Sequence, residues 1–251
     1  MAEEIVREIE KILYDGITTK EIYSEVSRLL DQKIAVAGLR YKLKEAIMRL
    51  GPEGFPFETF FAKLLNRLGY ETKLRVKIEG FCATHEVDVV AEKEANGRLK
   101  RCMVECKYHN SLGVYTGLKE ALYTYARFLD LTEGWKNGRC EKFDEAWLVT
   151  NTKFSKEAKG YGECKGVRMI GWNYPLGRGI EALLEAERVY PVTILRKVGR
   201  EEIKKLSKAN LMTVEDIFVM DGGKLAKILE LPEKAALELK KEAETLLVTK
   251  L

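Results

Sequence analysis

Three ionisable residues, Asp88, Glu105 and Lys107, lie on two neighbouring strand-like segments, HEVDVVAE and KRCMVECKYH. The turn-like Ala95-Asn96-Gly97 between these segments predicts a β-hairpin. Alternate residues of a strand share a face, so Glu105 and Lys107 point the same way, about 7 Å apart. If the hairpin register places Asp88 across from Glu105, the three ionisable groups converge on one point.

The apolar neighbours of these residues decide between two explanations of the charges. The same alternation predicts that Val87 and Val89 share the face opposite Asp88, and that Val104 and Cys106 point into the other layer. An E-x-K pair alone is better explained by a structural salt bridge on an exposed sheet face. An acid on the preceding strand, with apolar residues around both segments, favours a functional site.

Two carboxylates from adjacent strands form a hard oxygen site. Such a site suits Mg²⁺ or Mn²⁺, which take a few carboxylates and retain water for a substrate phosphate. A lysine beside the site can orient or deprotonate the attacking water, or stabilise negative charge on the phosphate in the transition state. The residues therefore predict metal-dependent phosphate chemistry.

The surrounding segments alternate between helical and strand periods and predict a mixed α/β sandwich. A strong helix with an apolar stripe precedes Gly69, and from residue 71 apolar and basic residues alternate, which predicts a strand with one wet, basic face. Further elements are a helix at 115–130, a strand at EAWLVTN, a short helix near 155–161, a strand at VRMIGW and a helix at 178–188.

Helical patterns flank this central region on both sides. Helical spacing in residues 4–30 and 33–50 predicts a small N-terminal helical unit. From about residue 195 the pattern is helical throughout, which predicts a separate small domain. The predicted division is 1–50, 51–190 and 195–251.

The central region resembles the PD-(D/E)xK nuclease superfamily, and within it the Mrr-like branch. The resemblance rests on D-x(16)-E-x-K within a hairpin, on GFPFETFFAKLLNRLGYET before it and on DEAWLVTNTKFSKEAKGYG after it. It implies a restriction-endonuclease-like fold, in which a mixed sheet lies between helices, with small all-helical units at either end. The proline of the family name is absent, because Val87 stands in its place.

The resemblance assigns roles to individual residues. Asp88 and Glu105 become metal ligands and Lys107 the catalytic lysine. Glu58, on the opening helix, matches an acid that some members add to the site. His85 and His109 lie near the same strands, so either could contact phosphate or a metal-bound water, and a structural role at the strand ends is equally consistent with their positions.

Residues 17–58 resemble the second half of an ATP-cone domain, through Arg40-Tyr41 and the Leu50-Gly51-Pro52 corner. The basic, strand-forming first half is missing, and no GxxxxGK[ST] loop is present. These departures favour a packing role over ATP binding.

The tail resembles helix-hairpin-helix domains, which hold DNA phosphates through backbone N–H groups and nearby lysines. The usual glycine of the first hairpin is replaced by Asn210, which tolerates left-handed backbone. A protein-interaction domain is the alternative. The cations expected to contact DNA are Arg196, Lys197, Arg200, Lys204, Lys205 and Lys208.

Composition narrows the function classes. The 251 residues are 46% apolar, and the formal net charge is only +4. Any basic surface that binds nucleic acid must therefore be confined to part of the chain. The number of cysteines, five, is odd, and none of them stands in a C-x-x-C pair. Together with the acidic first residues, this indicates a cytoplasmic protein. No apolar run approaches the ~20 residues of a membrane span. The leading hypothesis is a metal-dependent DNA endonuclease, with a homodimer favoured if both strands are cut. Alternatives are a non-catalytic DNA-binding or assembly protein and a nucleotide-sensing regulator.

Overall fold

A computed structural model describes residues 2–33 and 35–248, with side chains described for 6–26 and 42–248. Three helices come first: α1 (Ala2–Glu10), α2 (Thr19–Lys33) and α3 (Ala35–Met48). The predicted helical stretch 4–30 is therefore two helices, which separate near Gly16, where φ is +94°. Arg40 and Tyr41, which carry the ATP-cone resemblance, lie outside the described side chains.

The central region forms the predicted mixed α/β sandwich. Its elements are α4 (Phe55–Arg67), β1 (Glu71–Glu79), β2 (Thr84–Ala95), β3 (Arg98–Lys107), β4 (Tyr115–Thr116), α5 (Leu118–Lys136), β5 (Glu145–Thr150), β6 (Lys153–Phe154), α6 (Lys156–Lys165), β7 (Arg168–Ile170) and α7 (Ile180–Glu187). The five-stranded sheet has the order β1-β2-β3-β5-β7. The first three strands are antiparallel, and β3, β5 and β7 are parallel.

The hairpin between β2 and β3 forms as the sequence predicts, with Asn96 and Gly97 at φ of +54° and +72°. Positive φ at two successive residues is the geometry of the two-residue hairpin turn. A second, two-stranded sheet of β4 and β6 was not predicted from the sequence. Two-residue strands are too short to show a period, which explains the omission.

Two hydrophobic layers cover the main sheet. The α4 layer joins Phe57, Phe60 and Phe61 of α4 to one face of the sheet, at Val89, Val104 and Trp147. The α5 layer joins α5 and α6 to the other face, at Met103 and Leu148. These two layers fix the positions of α4 and α5 relative to the hairpin.

The tail comprises a short 3₁₀ turn (Val192–Ile194), α8 (Arg200–Lys208), α9 (Val214–Val219), α10 (Gly222–Leu229) and α11 (Glu233–Val248). Its apolar residues belong to the same hydrophobic cluster as the α4 layer, so the tail and the central sheet share one continuous core. No helix in the described ranges is both long enough and apolar enough to cross a membrane.

Candidate active site

The hairpin of β2 and β3 brings the two predicted metal-binding carboxylates together. The last pair of its ladder is Val89 with Val104, so Asp88 and Glu105 are the next residues on their strands. Beyond that pair the backbone N–H of Cys106 donates to Asp88 Oδ2 at 2.7 Å. The Asp88 side chain therefore takes the place of a backbone acceptor, and both carboxylates lie where the strands part.

The predicted alternation of faces on β2 is wrong at this point. Val87 packs in the α5 layer, whereas Val89 packs in the α4 layer. Strand β1 changes face at the same level, because Leu74 lies against the α4 layer and Val76 against the α5 layer. Between them Arg75 has a φ of +51°, a left-handed conformation that interrupts the strand period. The break lets side chains from both layers reach the same point.

Glu58 is the third carboxylate of the site. It lies in the first turn of α4 and is only 7% exposed. Arg75 Nη1 donates to Glu58 Oε2 at 3.3 Å, so this arginine leaves the predicted wet face of β1 to pair with an acid. Burial, and next the charge of Asp88, raise the pKa of Glu58 to about 7. Glu58, Asp88 and Glu105 are hereafter called the acidic cluster.

The other two carboxyls of the acidic cluster are perturbed in the same direction. Burial, followed by the charge of Asp88, raises the pKa of Glu105 to about 7. Burial also raises the pKa of Asp88, against the opposing effects of the Cys106 N–H and of Arg127. Three carboxylates held together out of water favour the uncharged form unless a cation joins them.

Arg127 of α5 is a site residue that the sequence reasoning missed. Its guanidinium pairs with Glu105 Oε2 through Nη1 and donates to the Glu86 carbonyl through Nη2. It is 5% exposed, and its Nε is buried without an acceptor. The helical spacing through Leu118, Leu122 and Leu129 identified the helix, but these leucines lie on its exposed side. An arginine on the side opposite that apolar stripe was the available signal.

Lys107 and the two histidines differ in what surrounds them. Lys107 is exposed at the end of β3. Its positive charge favours the ionised forms of Asp88 and Glu105 and so opposes the rise in their pKa. His85 is instead paired with Asp130 of α5, at 2.7 Å. His109 Nε2 lies 2.8 Å from the hydroxyl of Thr116, which belongs to the second sheet. The structure thus engages both histidines in contacts outside the acidic cluster.

The donor set of the acidic cluster fits a divalent cation with two protein ligands. Within the ranges whose side chains are described, no three His, Cys, Asp or Glu residues are arranged to hold one metal ion. Mg²⁺ needs only one or two carboxylates, because water and substrate phosphate supply the remaining ligands. Asp88 and Glu105 each use one oxygen in the contacts described above, to Cys106 and Arg127. Their second oxygens are therefore the atoms that would hold the metal.

Half of the cations predicted to contact DNA are paired with acids. Lys197, Lys204 and Lys205 pair with Glu238, Glu201 and Glu230. Arg196, Arg200 and Lys208 form no ion pair within the described part of the chain. The basic run of the tail is therefore less available to phosphate than its sequence indicates.

The two helical hairpins of the tail have the same local geometry. Asn210 and Glu230 both have φ near +55°, at +56° and +55°. The residue after each donates to the carbonyl five positions earlier, from Leu211 to Leu206 and from Leu231 to Ala226. The first hairpin is buried against the region near residue 191, where it forms an isolated bridge. The first hairpin therefore serves as a packing contact in this structure, and the second is tied to α8 through the Lys205–Glu230 ion pair.

Comparison with known proteins agrees with this architecture. The Mrr catalytic-domain model, described as a restriction endonuclease, matches residues 51–173, and a model described as AF1548-like, C-terminal, matches residues 190–247. An uncharacterized protein of Archaeoglobus fulgidus is 46% identical over 183 residues, which is 73% of this chain and 97% of that protein. The crystal structure of AF1548, described as a protein of unknown function, is 43% identical with a TM-score of 0.66. It covers 79% of this chain and 100% of its own.

The mixed sheet, its two helical layers and the family match define a restriction-endonuclease-like domain, and this confirms the predicted fold class. A relative of 46% identity that is covered over nearly its whole length identifies the family more closely. The chain belongs to the AF1548-like family.

Proposed function

We propose that this protein is a metal-dependent nuclease that hydrolyses phosphodiester bonds in DNA. The observation that carries the proposal is the acidic cluster, in which one buried and two half-buried carboxyls have raised pKa values beside an exposed lysine. Such a cluster is costly in an apolar surrounding, and a bound divalent cation removes that cost. Without a metal, Arg75 and Arg127 offset part of that cost, because within the described residues they pair with Glu58 and Glu105 but not with Asp88.

Each residue has a defined part in the proposed reaction. Asp88 and Glu105 would hold Mg²⁺ or Mn²⁺ with the oxygens that are not engaged by Cys106 and Arg127. The bound cation would neutralise charge on the scissile phosphate and lower the pKa of a nearby water. Lys107 projects from the end of β3 into solvent, where its ammonium can orient the attacking water or contact a phosphate oxygen. Arg127 holds Glu105 in place from the α5 side.

Glu58 contributes charge and shape to the proposed site from the α4 side. Its carboxyl is close enough to Asp88 for each charge to disfavour the other. A protonated Glu58 can donate a hydrogen bond at neutral pH, and an ionised Glu58 adds an anion that strengthens metal binding. Arg196, Arg200 and Lys208 of the tail, which form no ion pair within the described residues, are proposed to help hold the DNA backbone.

A second candidate is a non-catalytic DNA-binding protein that retains the nuclease fold. It is favoured by the two arginines, because Arg75 and Arg127 neutralise Glu58 and Glu105 without a metal. On this view the acidic cluster is stable as it stands. DNA would then bind equally well without Mg²⁺, and loss of Asp88 would not matter.

The test is cleavage of supercoiled, linear and branched DNA with Mg²⁺, Mn²⁺ or EDTA. The proteins compared are the wild type, Asp88→Asn, Lys107→Ala and a control, Lys136→Ala, which removes an exposed lysine from the far end of α5. We expect metal-dependent cutting by wild type and control, and none by the other two variants. Tight DNA binding in EDTA with no cutting of any substrate would support the second candidate instead.

A further inference from the structure

An exposed aromatic ring lies above the arginine that pairs with Glu58. Phe55, the first residue of α4, is 49% exposed. The Arg75 guanidinium lies 5.5 Å from the centroid of the Phe55 ring and also binds Glu58. The ring is therefore fixed beside the acidic cluster by a cation–π contact on one side, while about half of the residue remains in water.

The other arginine of the site has the same arrangement. Tyr123 of α5 is 57% exposed, and its ring centroid lies 5.3 Å from the Arg127 guanidinium. Arg127 in turn pairs with Glu105. The acidic cluster is thus flanked by two units of the same composition, ring, arginine and carboxylate. One unit includes Phe55 of α4 and the other includes Tyr123 of α5.

The chain segment that ends at Tyr123 is rich in exposed apolar side chains. Six of the twenty exposed large apolar residues in the described ranges fall between residues 112 and 123: Leu112, Val114, Tyr115, Leu118, Leu122 and Tyr123. Exposed apolar side chains are ordinary when scattered, but a concentration of them indicates a binding surface. Lys107, Lys119 and Lys153 are exposed as well, and Lys153 is the strand partner of Tyr115 in the second sheet.

These features select one class of ligand. Apolar and aromatic side chains together with exposed lysines match the two parts of an unpaired nucleic-acid strand, its bases and its phosphates. The faces of bases within a duplex are covered by their neighbours, so side chains cannot stack on them unless a base leaves the helix. A second copy of the chain would cover the apolar residues but would leave the lysines opposite one another, which is unfavourable.

We propose that Phe55 and Tyr123 stack with unpaired bases next to the phosphate at the acidic cluster, so that the substrate is single-stranded at the point of contact. The assignment of that strand as a cleavage substrate rests on the function proposed above. The binding itself does not, because it can be measured without metal.

The experiment measures fluorescence anisotropy of a labelled single-stranded oligonucleotide and of the matching duplex, in EDTA. We expect wild type to bind the single strand more tightly. Phe55→Ala and Tyr123→Ala should each weaken that binding about five- to a hundredfold, the range of one base stacked on an aromatic side chain. Phe55→Tyr and Tyr123→Phe keep the ring and should bind as wild type does.

Tyr14→Ala is the matched control, because Tyr14 is 59% exposed and lies between α1 and α2, far along the chain from the acidic cluster. It should leave single-strand binding unchanged. Circular dichroism at the assay temperature confirms that each alanine variant is folded. If the alanine variants bind the single strand as tightly as wild type, or if wild type prefers the duplex, the proposal is overturned.

Sedimentation of wild type and Tyr123→Ala provides the second readout. A dimer that becomes a monomer on loss of the ring would assign the surface to a second copy and overturn the proposal. Failure of the nuclease function gives a different pattern, in which ring-dependent single-strand binding persists but no metal supports cutting. The two proposals can therefore fail independently.

Discussion

Replacing Glu58 with glutamine tests whether ionisation of the acidic cluster destabilises the folded protein. The pKa of Glu58 is raised from 4.5 to about 7, first by burial and then by the charge of Asp88. Because the pKa is higher in the folded state, the folded protein binds this proton more tightly than the unfolded chain. Glu58 therefore lowers stability as pH rises from about 4.5 to about 7.

The size of the effect follows from the two pKa values. The two pKa values differ by about 2.5, and at about 1.4 kcal/mol for a pKa difference of one this corresponds to about 3.5 kcal/mol lost once the carboxyl is fully ionised. Glutamine has the same shape as the protonated acid and cannot ionise. Glu58→Gln is therefore expected to be more stable than wild type by about 3 kcal/mol at about pH 8, and by about 1 kcal/mol or less at about pH 5.

The assay is urea unfolding of the metal-free protein at both pH values, followed by far-UV circular dichroism. Glu53→Gln, on the exposed segment before the same helix, is the control and should leave stability unchanged at either pH. Mn²⁺ should stabilise wild type at the higher pH, because it binds only the folded cluster. A Glu58→Gln variant that is less stable than wild type at about pH 8, or equally altered at both pH values, would refute this account of the cluster.

Three further substitutions probe the supports of the site and of the domain around it. Arg127→Met leaves Glu105 buried without its partner and should cost about 3–5 kcal/mol at about pH 8 in urea unfolding, with a smaller cost at about pH 5, where the carboxyl is protonated. Gly179→Ala would place a Cβ 2.6 Å from two backbone atoms, and thermal unfolding should show a loss of about 1–3 kcal/mol. Tyr108→Phe removes the acceptor of the Gly51 N–H, at 2.8 Å, and should cost about 1–3 kcal/mol by the same assay.

The elements of the central domain were predictable from the sequence because their signals are local. The hairpin follows from the positive-φ residues Asn96 and Gly97 between two apolar runs. The order of helices and strands follows from the change between two hydrophobic periods. Together they place Asp88 and Glu105 on adjacent strands. That single juxtaposition was enough to indicate where the site lies.

The arginines of the site were not predictable, because their placement depends on contacts between distant segments. Arg75 reads as one member of an alternating basic face, and its left-handed backbone has no sequence signal. Arg127 lies 22 residues from Glu105 in sequence, and only the packing of α5 onto the sheet brings them together. A period of two also predicts uninterrupted strands, so it could not show the change of face at Val87 and Val89.

The flanking helices gain a structural role from their contacts with the site. Tyr108 follows Lys107 directly, and its hydroxyl donates to the Met48 carbonyl at 2.7 Å at the end of α3. From the other side, Lys63 of α4 pairs with Asp216 of the tail at 2.8 Å. The N-terminal unit is thus joined to the end of β3, and the tail is joined to α4, which carries Glu58 and Phe55. Both units stabilise elements that bear residues of the acidic cluster or its surroundings, whether or not either of them binds a ligand.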